Sequence, residues 1–115
     1  MIYRDEHERC PRCGVHLIQA GSARACTACR GLWVSHEILV EMAANMHDPP
    51  RPVPLPCVPD PSRPPLPCPA CTQPMQTWQL FAVPIDRCER HGVWFDRDEL
   101  QQVLYATFDP SGQPF

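Results

Sequence analysis

Pairs of cysteines separated by two residues constrain this sequence more than any other feature. Two such pairs lie in the first half of the chain and a third lies in the second half, where a Cys-x-x-His sequence completes the pattern. The eight residues are Cys10, Cys13, Cys26, Cys29, Cys68, Cys71, Cys88 and His91. Units of under about 40 residues rarely fold without metals or disulfides. We therefore expect these side chains to form disulfides or to bind metal ions.

The cysteine spacing and the expected compartment both favour metal. The first nine residues lack the apolar core of an export signal, and no apolar run is long enough to span a membrane. We therefore expect a cytoplasmic protein, whose thiols stay reduced. One alternative is a disulfide framework. Another is a thioredoxin-type redox role for residues 10–13, which requires a helix opening at the motif within a βαβ pattern, and the sequence indicates neither.

Each group of four residues matches the ligand set of a structural zinc site. A Cys-x-x-Cys turn aims two sulfurs at one point, and Zn²⁺ accepts four thiolates, or three thiolates and an imidazole, in a closed tetrahedral site. The sequence predicts two structural zinc ions, one held by Cys10, Cys13, Cys26 and Cys29 and one held by Cys68, Cys71, Cys88 and His91. Ligand type alone also allows iron in the first site. The alternative for His91 is an ordinary exposed histidine.

The remaining residues do not indicate catalysis. A closed zinc site leaves no position for a catalytic water, and the chain has no Ser/His/Asp set, paired carboxylates or Gly-rich phosphate loop. We therefore expect a protein that is not an enzyme. Cys57 is left over from the metal pattern and is interpreted as a free thiol, the alternatives being a redox-sensitive residue or an intermolecular bridge.

The chain repeats one unit twice. Cys10 and Cys68 are 58 residues apart, and Trp33 and Trp94 are 61 residues apart. Between the copies, residues 48–67 hold ten of the sixteen prolines, which predicts a semi-rigid spacer without folded structure. The expected division is a first metal-binding unit with its helix at 1–47, a linker at 48–67, a second unit with its helix at 68–108 and a disordered tail at 109–115.

The local pattern predicts a hairpin and then a helix in each unit. The hairpins pair residues 15–19 with 23–25 and 75–80 with 82–87, and Pro84 suggests an edge strand. Ser35 and Asp96 are suited to cap the two helices. Each helix carries an apolar stripe, which we expect to pack on its own hairpin. Trp33 and Trp94 are interpreted as core residues that shield the metal sites.

These motifs resemble the transcription-factor-IIB-type zinc ribbon, a family found in many small bacterial proteins. The second copy matches through residues 68–71 and 88–100, including the sequence Gly-Val-Trp-Phe-Asp at 92–96. The first copy matches through residues 10–14 and 31–33 but has Ser35 for the aspartate and Ile38 for the glutamate. The resemblance implies a small metal-stabilised α+β fold of two tandem zinc ribbons, each a β-hairpin with two knuckles followed by a short helix. It also implies zinc ligation by the eight residues above.

Charge favours a protein partner over nucleic acid. All ten basic residues are arginine, and the formal net charge of −3 becomes −6 once thiolates hold two zinc ions. Such a balance opposes non-specific phosphate binding, so the leading expectation is a protein-interaction module with a transcription-related role. The alternatives are nucleic-acid binding through the arginines of the first ribbon and a thiol-based redox or zinc sensor. The apolar helix stripes also allow a homodimer. The arginines are Arg4, Arg9, Arg12, Arg24 and Arg30.

Overall fold

The computed structural model describes residues 8–108 and has two helices packed on a seven-stranded sheet. The elements are β1 Ile18–Ala20, β2 Ala23–Ala25, β3 Leu32–Val34, α1 His36–Asn45, β4 Cys57–Pro59, β5 Gln76–Leu80, β6 Val83–Cys88, β7 Gly92–Phe95 and α2 Glu99–Ala106. Arg4 and the tail at 109–115 lie outside the described residues. The α+β class expected from the sequence is confirmed.

The two units join through their third strands. The strand order is β1-β2-β3-β7-β6-β5-β4, with every neighbouring pair antiparallel. At the junction, Trp33 of β3 lies opposite Trp94 of β7. The three-stranded arrangement therefore occurs twice and is related by an approximate two-fold axis through this pair. The sequence did not predict how the units are oriented.

The sequence pattern did not predict β3 and β7, and the reason is physical. All four residues of β7 are buried, as are Trp33 and Val34 of β3. A strand covered on both faces is a short continuous apolar run without alternation. A sequence of this kind does not identify a strand by its periodicity.

Alternating side chains divide the interior into two layers. The layer under the helices contains Val34, Val93 and Phe95 from the junction, with Leu39 of α1 and Val103 of α2. The opposite layer contains Trp33 and Trp94 with metal-site cysteines of both units. The helices therefore share one core with strands of both halves; α2 packs on β6 of its own hairpin as expected, but the core is common to both units.

The N-terminal cap predicted for α1 is found in the structure, whereas the cap predicted for α2 is not. The Ser35 hydroxyl accepts a hydrogen bond from the Ile38 N–H at 3.2 Å, so the α1 cap is confirmed. The prediction of Asp96 as the α2 cap was wrong, because α2 begins at Glu99 and Asp98 precedes it in a left-handed conformation. Glu99 does accept a hydrogen bond from the Asp96 N–H at 2.9 Å. The Asp96 carboxylate has other partners.

The interpretation of residues 48–67 as a spacer without folded structure was wrong for part of that segment. Residues 57–59 form β4, which pairs with β5 and gives the sheet its last strand. An edge strand uses backbone donors on one side only, so prolines are tolerated there. Arg63 then anchors the segment. It donates to the carbonyls of Trp78 at 3.0 Å and Ile85 at 2.6 Å and pairs with the buried Asp86 at 3.4 Å.

Pro84 does not mark an edge strand either. It lies in β6, between β5 and β7 in the sheet. The pairing of β6 with β7 begins only at Asp86. The missing backbone donor of Pro84 therefore falls where β6 has no neighbour on that side, and the ladder loses no bond.

Candidate metal centres

The first candidate site is formed by the turn at 10–13 and the turn at 26–29. The N–H of Cys13 donates to the Cys10 sulfur at 3.2 Å, and the N–H of Cys29 donates to the Cys26 sulfur at 3.4 Å. Such bonds orient the first sulfur of each pair and favour its thiolate. The four sulfurs lie within 4.8 Å of one another, and those of Cys10 and Cys29 are 3.6 Å apart.

The second site has the same construction with one imidazole. Cys68, Cys71, Cys88 and His91 place their ligand atoms within 4.8 Å of one another. The Nδ1 atom of His91 faces the site, 3.3 Å from the Cys88 sulfur and 3.8 Å from the Cys68 sulfur. The sulfurs of Cys71 and Cys88 are 3.9 Å apart. Sequence reasoning identified all eight residues that the structure brings together.

Both groups fit tetrahedral zinc. With Zn–S bonds of about 2.3 Å, tetrahedral geometry separates two sulfurs by about 3.8 Å, and an imidazole nitrogen lies slightly closer to each sulfur. The separations above match these values. Each group supplies four ligand atoms, so the sites have the closed, structural form.

Comparison with known proteins agrees with the geometry. Residues 67–106 match the zinc-ribbon family model of the TFIIB type, described as a transcription factor zinc-finger. Residues 67–106 therefore form a zinc ribbon, and the two ligand groups support two structural zinc ions. The second ribbon lies within the matched range, and the first has its own four-cysteine group. No curated protein matches the chain, and no solved structure does.

Burial makes the ribbon thiols depend on the metal. It raises the pKa of Cys10 to about 12 and the pKa of Cys68 to about 12, although backbone N–H groups act in the opposite direction. For Cys26, burial also raises the pKa, but backbone N–H bonds from residues 28 and 29 outweigh it and bring the pKa to about 7. Zinc binds the thiolate and stabilises it against burial. Metal binding therefore releases protons and weakens in acid.

The two tryptophans connect the zinc sites. Trp33 is 6% exposed and Trp94 is fully buried, and both contact the cluster that contains Cys10, Cys26 and Cys68. Their interpretation as core residues is confirmed, and both pack against metal-site cysteines. Because one cluster serves both ribbons, each zinc site is packed against residues of the other half.

Sequence reasoning missed two polar contacts that link the ribbons. Arg12, in the first knuckle, donates to both carboxylate oxygens of Asp96 at 2.5 Å and 2.9 Å, and the Trp94 indole N–H donates to the same carboxylate at 3.1 Å. Burial of Asp96 opposes the effect of these bonds, but they lower its pKa. His36 of α1 forms a 2.8 Å hydrogen bond with the carbonyl of Cys88. Arg12 and Asp96 are 84 residues apart, so no local signal could have paired them.

We expect His91→Ala to remove about one equivalent of zinc from a protein that otherwise holds two. The variant keeps three thiolates, which do not close a tetrahedral site. Metal analysis of protein purified without added metal would measure the stoichiometry. His16→Ala is the matched control, because His16 lies in the same half as the first site but is not one of its four ligands. Unchanged stoichiometry in His91→Ala would reject the imidazole as a ligand.

No helix among residues 8–108 is long and apolar enough to cross a membrane.

Proposed function

We propose that this chain is a non-enzymatic protein-interaction module, with a transcription-related role suggested by the description of its family. The observation that carries the proposal is the outer edge of β1, beyond which no named strand of residues 8–108 lies, although residues 8 and 9 pair with residues 17 and 16 just before it. Its residues are all exposed, and Ile18 is 50% exposed. An exposed strand edge without proline or charge is a template for an extended segment of another chain.

The opposite edge of the sheet supports this proposal by contrast. There β4 is the last strand, and Pro59 removes a backbone donor that an added strand would need. Within residues 8–108, proline protection against strand addition is therefore found at the β4 edge and not along β1. This difference between the two opposite edges favours binding at β1.

Two arginines of the first ribbon are held in ion pairs, which does not favour nucleic-acid binding. Arg12 pairs with Asp96, and Arg24 pairs with Glu8 at 2.7 Å. An arginine neutralised by a carboxylate releases few counterions on phosphate binding. Arg4 lies outside the described residues. The overall negative charge acts in the same direction.

In this proposal the zinc ions have a structural role, and the protein lies in a reducing compartment. Each ion has four protein ligands, which leaves no coordination position for a substrate. The eight cysteines form no disulfides among themselves. Sites built from thiolates are maintained in the cytoplasm, where thiols stay reduced, so we place the protein there.

Gln19→Pro tests the proposal, with Gln19→Ala as the matched control. In an antiparallel ladder, hydrogen-bonded and non-hydrogen-bonded residue pairs alternate. Gln19 and Arg24 form the non-hydrogen-bonded pair between two hydrogen-bonded pairs, so the backbone N–H of Gln19 points away from β2. The zinc-bound chain is used to capture proteins from a lysate of the native host. The proline variant should no longer capture the proteins that the unaltered chain captures, whereas the alanine variant should still capture them. A salt titration with single- and double-stranded DNA and RNA accompanies the capture. The proposal would be overturned if the chain bound DNA or RNA in a salt-sensitive way and the proline variant captured the same proteins as the unaltered chain.

A further inference from the structure

A cavity of about 410 Å³ lies beside α2 on the helix side of the sheet. Its apolar lining comes from Leu32 of β3, Met46 after α1, and Leu100, Leu104 and Tyr105 of α2. Its polar lining comes from Arg30, Arg97, Asp98 and Gln101. We call this cavity the α2 groove. Its volume lies in the range of about 300–1,000 Å³ that is typical of ligand pockets.

The two arginines lie at the same end of the α2 groove. Both line the cavity, and they follow the end of the β3–β7 ladder at which Leu32 pairs with Phe95. Arg97 is 3.8 Å from Asp98, but both side chains are about two-thirds exposed, and a pair of this kind is weak. Among residues 8–108, no acidic side chain lies within ion-pair distance of Arg30. This end of the groove is therefore net positive in a chain of negative net charge.

The other end of the α2 groove is apolar and open. Tyr105 is 57% exposed there, although it stands on a helix that packs into the core. On the second ribbon, linker residue Leu55 packs against the same core and β4 covers β5. On the first ribbon, residues 8 and 9 pair with residues 17 and 16 just before β1, and no named strand of residues 8–108 lies beyond β1. The exposed Tyr105 therefore gives this end of the groove an apolar surface that a partner segment can cover.

We infer that the α2 groove binds a segment of a partner protein in which large aliphatic side chains such as leucine are adjacent to aspartate or glutamate. The apolar side chains contact Leu32, Leu104 and Tyr105, and a carboxylate reaches Arg30 and Arg97. Guanidinium groups suit this role because they bind carboxylates in a two-pronged geometry. The charge of the groove selects an acidic segment over a basic one. The inference rests on the proposed function, since it names the partner chemistry of a protein-binding module.

Two short fluorescein-labelled peptides test this inference on the zinc-bound full chain. In the first, glutamate alternates with leucine; in the second, lysine replaces each glutamate. Fluorescence anisotropy measures affinity, and amide shifts in nuclear magnetic resonance spectra locate the contact. We expect the glutamate peptide to bind at least about tenfold more tightly than the lysine peptide. Its amide shifts should fall at residues 30–32 and 97–105.

Paired variants separate charge from apolar contact. Arg30→Glu combined with Arg97→Glu should weaken binding of the glutamate peptide about tenfold or more, because two attractive charges become repulsive. Arg51→Glu is the matched control, since Arg51 is exposed and does not line the groove. Tyr105→Ala should also weaken binding, whereas Val40→Ala, at a similarly exposed position of α1, should not. Circular dichroism confirms that each variant is folded.

Four results would overturn the inference. The first is equal affinity for the two peptides, and the second is no binding of the glutamate peptide at millimolar concentration. The third is self-association of the chain through the groove, measured by sedimentation without peptide. The fourth is a set of amide shifts along β1 alone, which would reject the groove but leave the proposed function standing. Loss of the proposed function would instead appear as salt-sensitive nucleic-acid binding with no peptide binding at any surface.

Discussion

Removal of both zinc ions is expected to unfold the whole described part of the chain. Structural zinc contributes about 10–16 kcal/mol of apparent binding free energy in small zinc-binding peptides at neutral pH. A folded domain is stable by only about 5–15 kcal/mol in total. Without metal, Cys10 and Cys68 become neutral thiols within the shared cluster, and the zinc ions no longer hold the four ligands of each site together. Far-ultraviolet circular dichroism during titration with a chelator would follow the loss, and added zinc should reverse it.

The transition should also be shared between the ribbons. The core under the helices contains residues of both halves, and β3 and β7 form a continuous ladder. His91→Ala should therefore accelerate amide hydrogen exchange in β1 and β2 as well as in β5 and β6, although the first zinc site is chemically unchanged. The observation that would contradict this coupling is unaltered protection of β1 and β2 in a variant that has lost the second zinc ion. Such a result would mean that the ribbons fold independently.

Gly31→Ala is expected to destabilise the junction of the ribbons by about 1–3 kcal/mol, the usual cost of adding a methyl group to a packed core. A Cβ atom at Gly31 would overlap Cζ2 of Trp94, which is fully buried and has no free space to move into. Gly92→Ala should cost at least as much, because its Cβ would overlap the carbonyl oxygen of Val34, a backbone atom of the other ribbon. Denaturant unfolding of the zinc-loaded protein measures both changes.

Two comparisons make the glycine prediction specific. Gly21→Ala is the matched control, since Gly21 has a φ of +62° but nothing within 4 Å of an added Cβ. It should therefore show only the conformational cost of about 1 kcal/mol. Trp94→Phe removes the atoms that Gly31→Ala would strike, so the double variant should be more stable than the sum of the single effects predicts. Additive effects would show that the overlap with Trp94 is not the cause.

These two glycines illustrate how a family motif takes its meaning from the fold. In the sequence, Gly31 and Gly92 were parts of a resemblance, each placed shortly after a knuckle. In the structure, each one lets the backbone of one ribbon pass close to the other ribbon. An isolated ribbon would not present Trp94 to Gly31, so the requirement for glycine at this position belongs to the paired arrangement.

The ligand sets could be predicted because their signal is local and chemical. Two sulfurs two residues apart on a turn already point to one site, and the repeat supplied His91 as the fourth member of the second site. The α1 cap at Ser35 was predictable for the same reason, since the hydroxyl and its N–H partner are three residues apart. The cap at Asp96 failed because Arg12 and Trp94 occupy its carboxylate.

The linker shows the limit of composition as a guide. Its prolines predicted an extended chain, and the segment is extended at 57–59, but it is also paired with β5. Whether an extended segment pairs depends on whether a strand edge lies within reach. That edge is formed by residues 76–80, which lie well beyond the segment along the chain.

Short-range chemistry was thus sufficient for the zinc ligands, the two-fold repeat and the start of the first helix. Only the tertiary structure decided that the ribbons merge through β3 and β7, that β4 completes the sheet, and that Arg12 pairs with Asp96. The physical reason is distance along the chain. A metal knuckle or a helix cap is satisfied within a few residues, whereas strand edges and buried faces are satisfied by whichever distant surface the whole fold brings to them.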